Sequence, residues 1–285
     1  MKLRKKIACI TMDIEPDLRD DRGCVRMFDS RDLMDRYSSI VLENNAKVTG
    51  YLQTSLIEKY SDEIGNMAQI IPLEFGVHSH THERSTKHFA EEVENSLNAY
   101  RDYLEVEPLG YRAPNGLIDR DGICTLMEYQ FKYDASIFPS IRLDEYGYSN
   151  LHLPNQPFRF VHNGNEIIEL PVTCLPTIRL VMSMSYIKLL GLDTYRTLMR
   201  LFPLPDVVIF DSHPYDYYVN RIAGNIHGWK RYAHLRNADQ AFELFQSVIS
   251  ILRDQGYEFW YMSELYEHVK RGLFNLTNIS VEKLN

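Results

Sequence analysis

Apolar and polar positions alternate along this chain in two registers. Short runs of β-branched and aromatic residues are separated by longer stretches of helical period, the pattern of strand–helix units repeated around a mostly parallel sheet. Strands are predicted at Ile7–Asp13, Val48–Leu52, Leu73–Val77, Leu109–Arg112, Phe131–Asp134, Ile167–Val172, Val207–Asp211 and Glu258–Tyr261. Between them a helix is predicted from Ser30, a candidate N-cap, with Leu33, Tyr37, Ile40 and Val41 on one face. Further helices are expected near Leu56–Met67, from about Lys87 to Leu104, and over Asp239–Arg253. The segment Pro139–Asn165, rich in Tyr, Asn and Pro, reads as a long loop, and long loops in compact domains tend to be functional. Periodicity weakens after Gly272, so a weakly ordered tail is expected there.

The length of 285 residues suits one barrel-sized domain. With no Gly/Ser-rich linker and no internal repeat, the expected organisation is a single domain over residues 1–272 and a tail over 273–285. Apolar residues at 45% and charged residues at 25% exclude wholesale disorder, collagen and coiled coil. The 31 basic against 39 acidic residues give a net charge of -8, and no basic stripe is present, which argues against a nucleic-acid partner. The basic start Met1–Lys6 is followed by only a short apolar run, Ile7–Met12, too little for a signal-peptide core. No stretch reaches the ~18 apolar residues of a membrane span. Leu180–Leu192 comes nearest but contains Lys188; it reads as a core helix or subunit contact, or as a contact to an apolar part of a substrate or a membrane surface. Cys9, Cys24, Cys124 and Cys174 show no CxxC spacing, which fits reduced thiols. A cytoplasmic location is therefore the expectation, with homo-oligomers left open.

Candidate chemistry sits at the ends of the predicted strands. After Leu73–Val77 comes His78-Ser-His80-Thr-His82, in which residues four apart would share one side of a helical turn and bind a metal; a hydrogen-bonded surface cluster is the plainer reading. After the first strand come Asp13, Glu15 and Asp17, either a carboxylate supply completing a two-His site or a solvated loop continuing into Arg19, Asp20, Asp21 and Arg22. Tyr111-Arg112-Ala-Pro114-Asn-Gly116 offers an Arg for bidentate grip of a carboxylate, or a plain turn. Asp134 in Tyr133-Asp134-Ala-Ser136 is by itself a cap or turn residue, and His213 in Phe210-Asp211-Ser-His213-Pro214 is by itself structural. Five such coincidences at five strand ends favour a common site.

With these motifs in order, the sequence resembles the polysaccharide deacetylases of carbohydrate esterase family 4, the NodB homology domain, from about Ala8 to Glu264. The matching residues are Thr11-Met-Asp13, His78-Ser-His-Thr-His82, Arg112-Ala-Pro114-Asn-Gly116, Tyr133-Asp134 and Ser212-His213. Many members have two adjacent aspartates in the first motif; Asp13-Ile-Glu15 is similar to a subgroup with an Asp-x-Glu or Asp-x-Asp variant. Tyr133-Asp-Ala-Ser-Ile-Phe-Pro139, Glu169-Leu-Pro-Val172 and His213-Pro-Tyr215 are also similar to it.

The resemblance implies an α/β fold, a distorted (β/α)7 barrel, and hydrolysis of an amide-linked acetyl group on an N-acetylated amino sugar or a nucleotide- or lipid-linked glycan precursor with a divalent metal, commonly zinc. It implies Glu15, His78 and His82 as metal ligands and Asp13 as general base, the reverse roles of Asp13 and Glu15 remaining open. Arg112 would hold Asp13, His213 would be the general acid, and Asp134 would orient His213. Pro16 has no backbone N–H to offer an oxyanion. The implied partner is a glycan or small molecule with an N-acyl group. A deformylase or cyclic amide hydrolase of the allantoinase type on the same barrel, and a degenerate glycan-binding protein, are the alternatives. Tyr146, Tyr148, Phe158, Phe160, Tyr215, Tyr217 and Tyr218 would suit sugar rings or core packing equally.

Overall fold

The structure, a computed structural model, describes residues 5–18, 23–83, 86–143, 147–222 and 228–284. Its strands are β1 (Ile7–Ile14), β2 (Val48–Leu52), β3 (Leu73–Val77), β4 (Gly110–Tyr111), β5 (Tyr133–Asp134), β6 (Ile141–Arg142), β7 (Tyr148–Ser149), β8 (Phe158–His162), β9 (Asn165–Glu169), β10 (Val207–Phe210), β11 (Glu258–Phe259) and β12 (Asn278–Ser280). The main sheet runs β10-β1-β2-β3-β4-β5-β9-β8-β12, with β11 also on β1. From β10 to β9 every pairing is parallel, so the fold is α/β with a mostly parallel sheet, as expected. The helices Arg31–Glu43, Ile57–Ile70, Phe89–Leu104 and Arg120–Glu128 make the crossovers that parallel neighbours require.

Strand β1 is buried along its whole length, which fits a strand covered on both faces. Its even positions Ala8, Ile10, Met12 and Ile14 pack outward with the helices, among them Leu33, Tyr37 and Val41. Its odd positions Ile7 and Cys9 pack on the inner face with Tyr51, Tyr133, Val207 and Met262. At Gly110 a Cβ would lie 2.0 Å from the Tyr133 ring, so only glycine lets that tyrosine fill the inside.

No strand ladder joins β9 to β10 among the described residues. The chain leaving β9 crosses that seam instead: Leu170 N–H donates to Asp134 O at 2.8 Å, and Thr173 N–H to Ile209 O at 3.0 Å. In return Ile209 N–H donates to Thr173 Oγ1 at 2.8 Å.

Three expectations change. Pro139–Asn165 is not one loop: β6 and β7 form a two-stranded ribbon, and β8 pairs antiparallel with β9. The residues after Gly272 are not a loose tail, because β12 pairs with β8 and Ile279, Val281 and Leu284 pack with Phe158 and Phe160. A boundary at residue 272 therefore cuts a hydrogen-bonded sheet. Ser30 stands at the N-cap of Arg31–Glu43, but its side chain accepts no bond from the helix.

Candidate active site

Parallel register brings the motif residues to one edge. Asp13 follows Ile7, Cys9 and Thr11 by period two, so it faces inward at the end of β1, and Glu15 extends the same side beyond it. The Asp13 N–H donates to Ser212 O at 2.8 Å, His78 N–H to Leu52 O at 2.9 Å, and Arg112 N–H to Val77 O at 2.9 Å. Asp17 does not join them; it accepts from Tyr218 Oη at 2.5 Å and from Arg26 N–H at 3.3 Å, which fastens the loop after β1. The run Arg19–Arg22 lies outside the described residues.

His78 and His82 converge, but not on a helical turn. They flank a loop in which Ser79 (φ 57°) and His82 (φ 62°) are left-handed, a conformation that costs energy and clusters at functional sites. Ser79 Oγ accepts His82 N–H at 2.9 Å. Glu92, on Phe89–Leu104, holds the middle of the loop: it accepts His80 N–H at 3.0 Å, Thr81 N–H at 2.8 Å and the Thr81 hydroxyl at 2.8 Å. His78 Nδ1 lies 2.9 Å from the Arg112 carbonyl, which can only accept, so Nδ1 carries the proton and Nε2 the lone pair.

That Nε2 is buried with no hydrogen-bond partner, 3.4 Å from Glu15 Oε2 and 4.0 Å from Asp13 Oδ2. His82 Nε2 lies against the same Glu15 oxygen. Nitrogen and oxygen donors of the three residues all fall within 4.8 Å of one another, a two-imidazole, one-carboxylate set that fits zinc. Burial would raise the Glu15 carboxyl, but His82, His78 and His213 hold it well below the usual carboxylate range. Its other oxygen, Oε1, accepts from Tyr215 Oη at 3.0 Å.

Arg112 is fully buried beneath this cluster, its guanidinium 4.1 Å over the Tyr51 ring. The expected bidentate grip is absent. Nη1 alone meets Asp13 Oδ1 at 2.8 Å, Asp211 Oδ1 at 3.0 Å and Thr11 Oγ1 at 2.8 Å, while Nε donates to Ala135 O at 3.0 Å. Two carboxylates thus share one nitrogen. Burial, and then Asp13, push Asp211 up to about 7 against the opposing pull of His213 and Arg112.

His213 faces the cluster from the far side, its Nε2 3.8 Å from Glu15 Oε1 and its ring stacked on Tyr215 at 4.8 Å. Asp134 does not orient it. The register places Asp134 beside Glu169, where it accepts from Ser136 Oγ at 2.6 Å, and burial raises both carboxyls. The partner is Asp216 on the following turn: its Oδ2 lies 3.1 Å from His213 Nδ1 and accepts His213 N–H at 3.0 Å. Behind Asp216 lies Lys188, 1% exposed, with Nζ 2.9 Å from Oδ1 and 2.9 Å from the Asp216 carbonyl, and Ser185 Oγ donates to Oδ1 at 2.7 Å. Burial works against charge at His213, yet Asp216, Asp211 and Glu15 hold it up to about 10.

Sequence reasoning thus missed Asp216, Lys188 and Glu92. The available signals were a carboxylate three residues after His213 and a lysine inside an otherwise apolar run. Asp13, Glu15, His78, Asp211 and His213 open into a cleft of about 560 Å³. Tyr148 and Tyr215 line it; Phe158, Phe160, Tyr217 and Tyr218 are core, and Tyr146 lies outside the described residues.

Comparisons with known proteins follow this geometry. No curated protein matches the chain in sequence. Among solved structures, a protein of Mycobacterium smegmatis assigned to the polysaccharide deacetylases is 16% identical, with a TM-score of 0.61 over 98% of this chain and 96% of that one. The peptidoglycan deacetylase of Bacillus subtilis is 15% identical, with a TM-score of 0.50 over 94% of each chain. A carbohydrate esterase family 4 pseudoenzyme of Bacillus anthracis is 12% identical, with a TM-score of 0.51 over 92% of this chain and 66% of that one. At these identities the likeness establishes the fold. In sequence, residues 2–133 match the family model described as polysaccharide deacetylase, a stretch containing Asp13, Glu15, the His78–His82 loop and Arg112. Residues 2–133 are thus similar to a polysaccharide deacetylase domain, and the fold shared with the Mycobacterium smegmatis protein runs on through His213.

Proposed function

We propose that this chain hydrolyses the amide-linked acetyl group of an N-acetylated amino sugar, with Glu15, His78 and His82 holding a divalent metal, zinc being the ion their donor set suits. The observation that carries the reading is the placement of a carboxylate and an imidazole against different members of that trio: Asp13 Oδ2 is 4.0 Å from His78 Nε2, and His213 Nε2 is 3.8 Å from Glu15 Oε1. When bound, a divalent metal supplies a water of lowered pKa and polarises the acyl carbonyl.

Asp13 then accepts a proton as general base. Arg112 fixes its Oδ1, so Oδ2 is the oxygen presented to the cleft. His213 donates from Nε2 to the leaving nitrogen, because Nδ1 is engaged by Asp216 and the ring cannot turn without losing that bond. Tyr215 holds Glu15 Oε1 and leaves Oε2 toward the two histidines. Contact of Glu15 with both imidazoles supports it, rather than Asp13, as the ligand. Retention of every one of these side chains speaks against a binding protein that has lost its chemistry.

The test loads the purified protein with zinc, measures metal content, and follows acetate release from N-acetylglucosamine oligosaccharides beside formate release from N-formyl analogues. Acetate release is expected, with His78→Ala losing metal. His213→Ala should keep metal and lose ~10²–10⁴-fold in kcat. Full occupancy without acetate release would overturn the proposal, and faster formate release would move it to a deformylase.

A further inference from the structure

The cleft is not uniform. Charged side chains line it at Asp13, Glu15, Asp211 and His213, but its lining also carries large apolar side chains: Ile141 and Leu143 on and after β6, Tyr186 and Leu189 on the helix Met184–Leu190, and Trp229 on the helix Gly228–Leu235. Three of these are in water to an unusual degree, Ile141 at 42%, Leu143 at 92% and Trp229 at 70%. Large apolar side chains left exposed and gathered at one site mark a surface meant to be covered.

We infer that the substrate is an N-acylated amino sugar carrying an apolar chain, the sugar at the charged side chains and the chain along the apolar ones. The inference rests on the deacetylase reading and names its substrate class. A longer glycan is the competing occupant of the same space. Asn115, Arg142 and His234 also line the cleft and could meet some of its hydroxyls, but a glycan would leave the exposed side chains of Ile141 and Leu143 uncovered, whereas a hydrocarbon chain covers them. The cleft is continuous from Glu15 and His213 to Leu143 and Trp229, so one molecule can touch both ends.

The experiment uses zinc-loaded, full-length protein and N-acetylglucosamine glycosides with methyl, butyl, octyl and dodecyl chains, each below its micelle concentration. Affinity is read from tryptophan fluorescence in Trp260→Phe, which leaves Trp229 as the only tryptophan of the chain. Kd should fall about two- to fourfold per methylene over the first carbons, with a blue shift of Trp229 as the chain covers it. Leu143→Ser should flatten that slope, and Leu201→Ser, an exposed leucine off the cleft, should not. A Kd independent of chain length overturns the inference, as does affinity that grows instead with the number of sugars in N-acetylglucosamine oligomers. Acetate release from every glycoside of the series is measured in the same samples. Release with a flat slope leaves the deacetylase reading intact and removes only the chain, whereas a steep slope without release keeps the apolar subsite and removes the deacetylase reading.

Discussion

Asp211 and Asp216 lie on the same short segment after β10, both buried, and their carboxyls are displaced in opposite directions. Burial opposes the charge of each. Asp216 has Lys188 and His213 against it and is held well below the usual carboxylate range, whereas Asp211 shares one nitrogen of Arg112 with Asp13 and rises to about 7. What separates them is the company each keeps, not depth: Lys188 pairs with Asp216, whereas Asp211 shares Arg112 with Asp13, whose charge raises it. One end of the segment keeps a full negative charge behind the imidazole, and at the other a proton competes with a shared guanidinium for the carboxylate.

The sharpest way to break that contrast is Lys188→Met, which strips Asp216 of its own cation. Removing one partner of a buried pair costs about 3–5 kcal/mol, read by urea unfolding. The folded Asp216 carboxyl should then rise. Asp216 is still ionised where His213 titrates and no longer shares its charge with Lys188, so the alkaline limb of kcat, expected near the His213 value of about 10, should hold or move up. Combined with Asp216→Asn, the loss of stability should be smaller than the sum of the two single losses, because each variant removes the same pair. Full additivity would mean that Lys188 and Asp216 stabilise the fold independently.

On the other side Arg112→Lys keeps a charge but replaces the fork that reaches Asp13, Asp211, Thr11 and the Ala135 carbonyl together. A fall in kcat of about 10–100-fold at unchanged metal content is expected, consistent with a carboxylate left loosely oriented. Wild-type turnover would show that Asp13 needs no more than a nearby positive charge.

Glu92 extends the comparison to a buried carboxylate held by loop N–H groups and a hydroxyl. Glu92→Gln loses one acceptor oxygen under the loop between His78 and His82. Metal affinity should drop about tenfold while the substrate KM of the saturated protein is unchanged. An unaltered affinity would mean that the left-handed turns at Ser79 and His82 position the imidazoles unaided.

The strand ends were legible in the sequence because apolar runs of period two stop abruptly at polar residues, and Asp13, His78, Arg112 and His213 all follow such a stop. Their partners were less so. Asp134 looks like the natural companion of His213, but register pairs it with Glu169, and register is a tertiary property. Asp216 reaches His213 only because Pro214–Tyr217 forms a tight turn, and Lys188 is hidden in a run that reads as plain core. The same logic explains the strands that were missed. Phe158–His162 is partly polar, and Asn278–Ser280 is only three residues long with exposed ends, so neither carries the continuous apolar signal of the inner strands.

Asp211→Asn is the mildest change and the most direct test of the shared-cation account. An Asp whose folded pKa stands at about 7 and whose unfolded pKa is about 3.9 binds a proton in the native state that the unfolded chain has released. Its contribution to stability is complete below about pH 3.9 and is lost as pH rises through about 7. Asp216 runs the other way: its contribution is present above about pH 3.9 and is lost as pH falls through its lower folded value. The amide of Asp211→Asn is neutral at every pH and still offers an oxygen to Arg112 Nη1. Unfolding curves of the variant and wild type should therefore coincide near pH 4, and by pH 8 the variant should be the more stable, by up to about 4 kcal/mol for a shift of about three pKa units. A variant that loses stability at pH 8 would show that Asp211 is a full anion satisfied by Arg112, and that one guanidinium nitrogen is enough for two carboxylates.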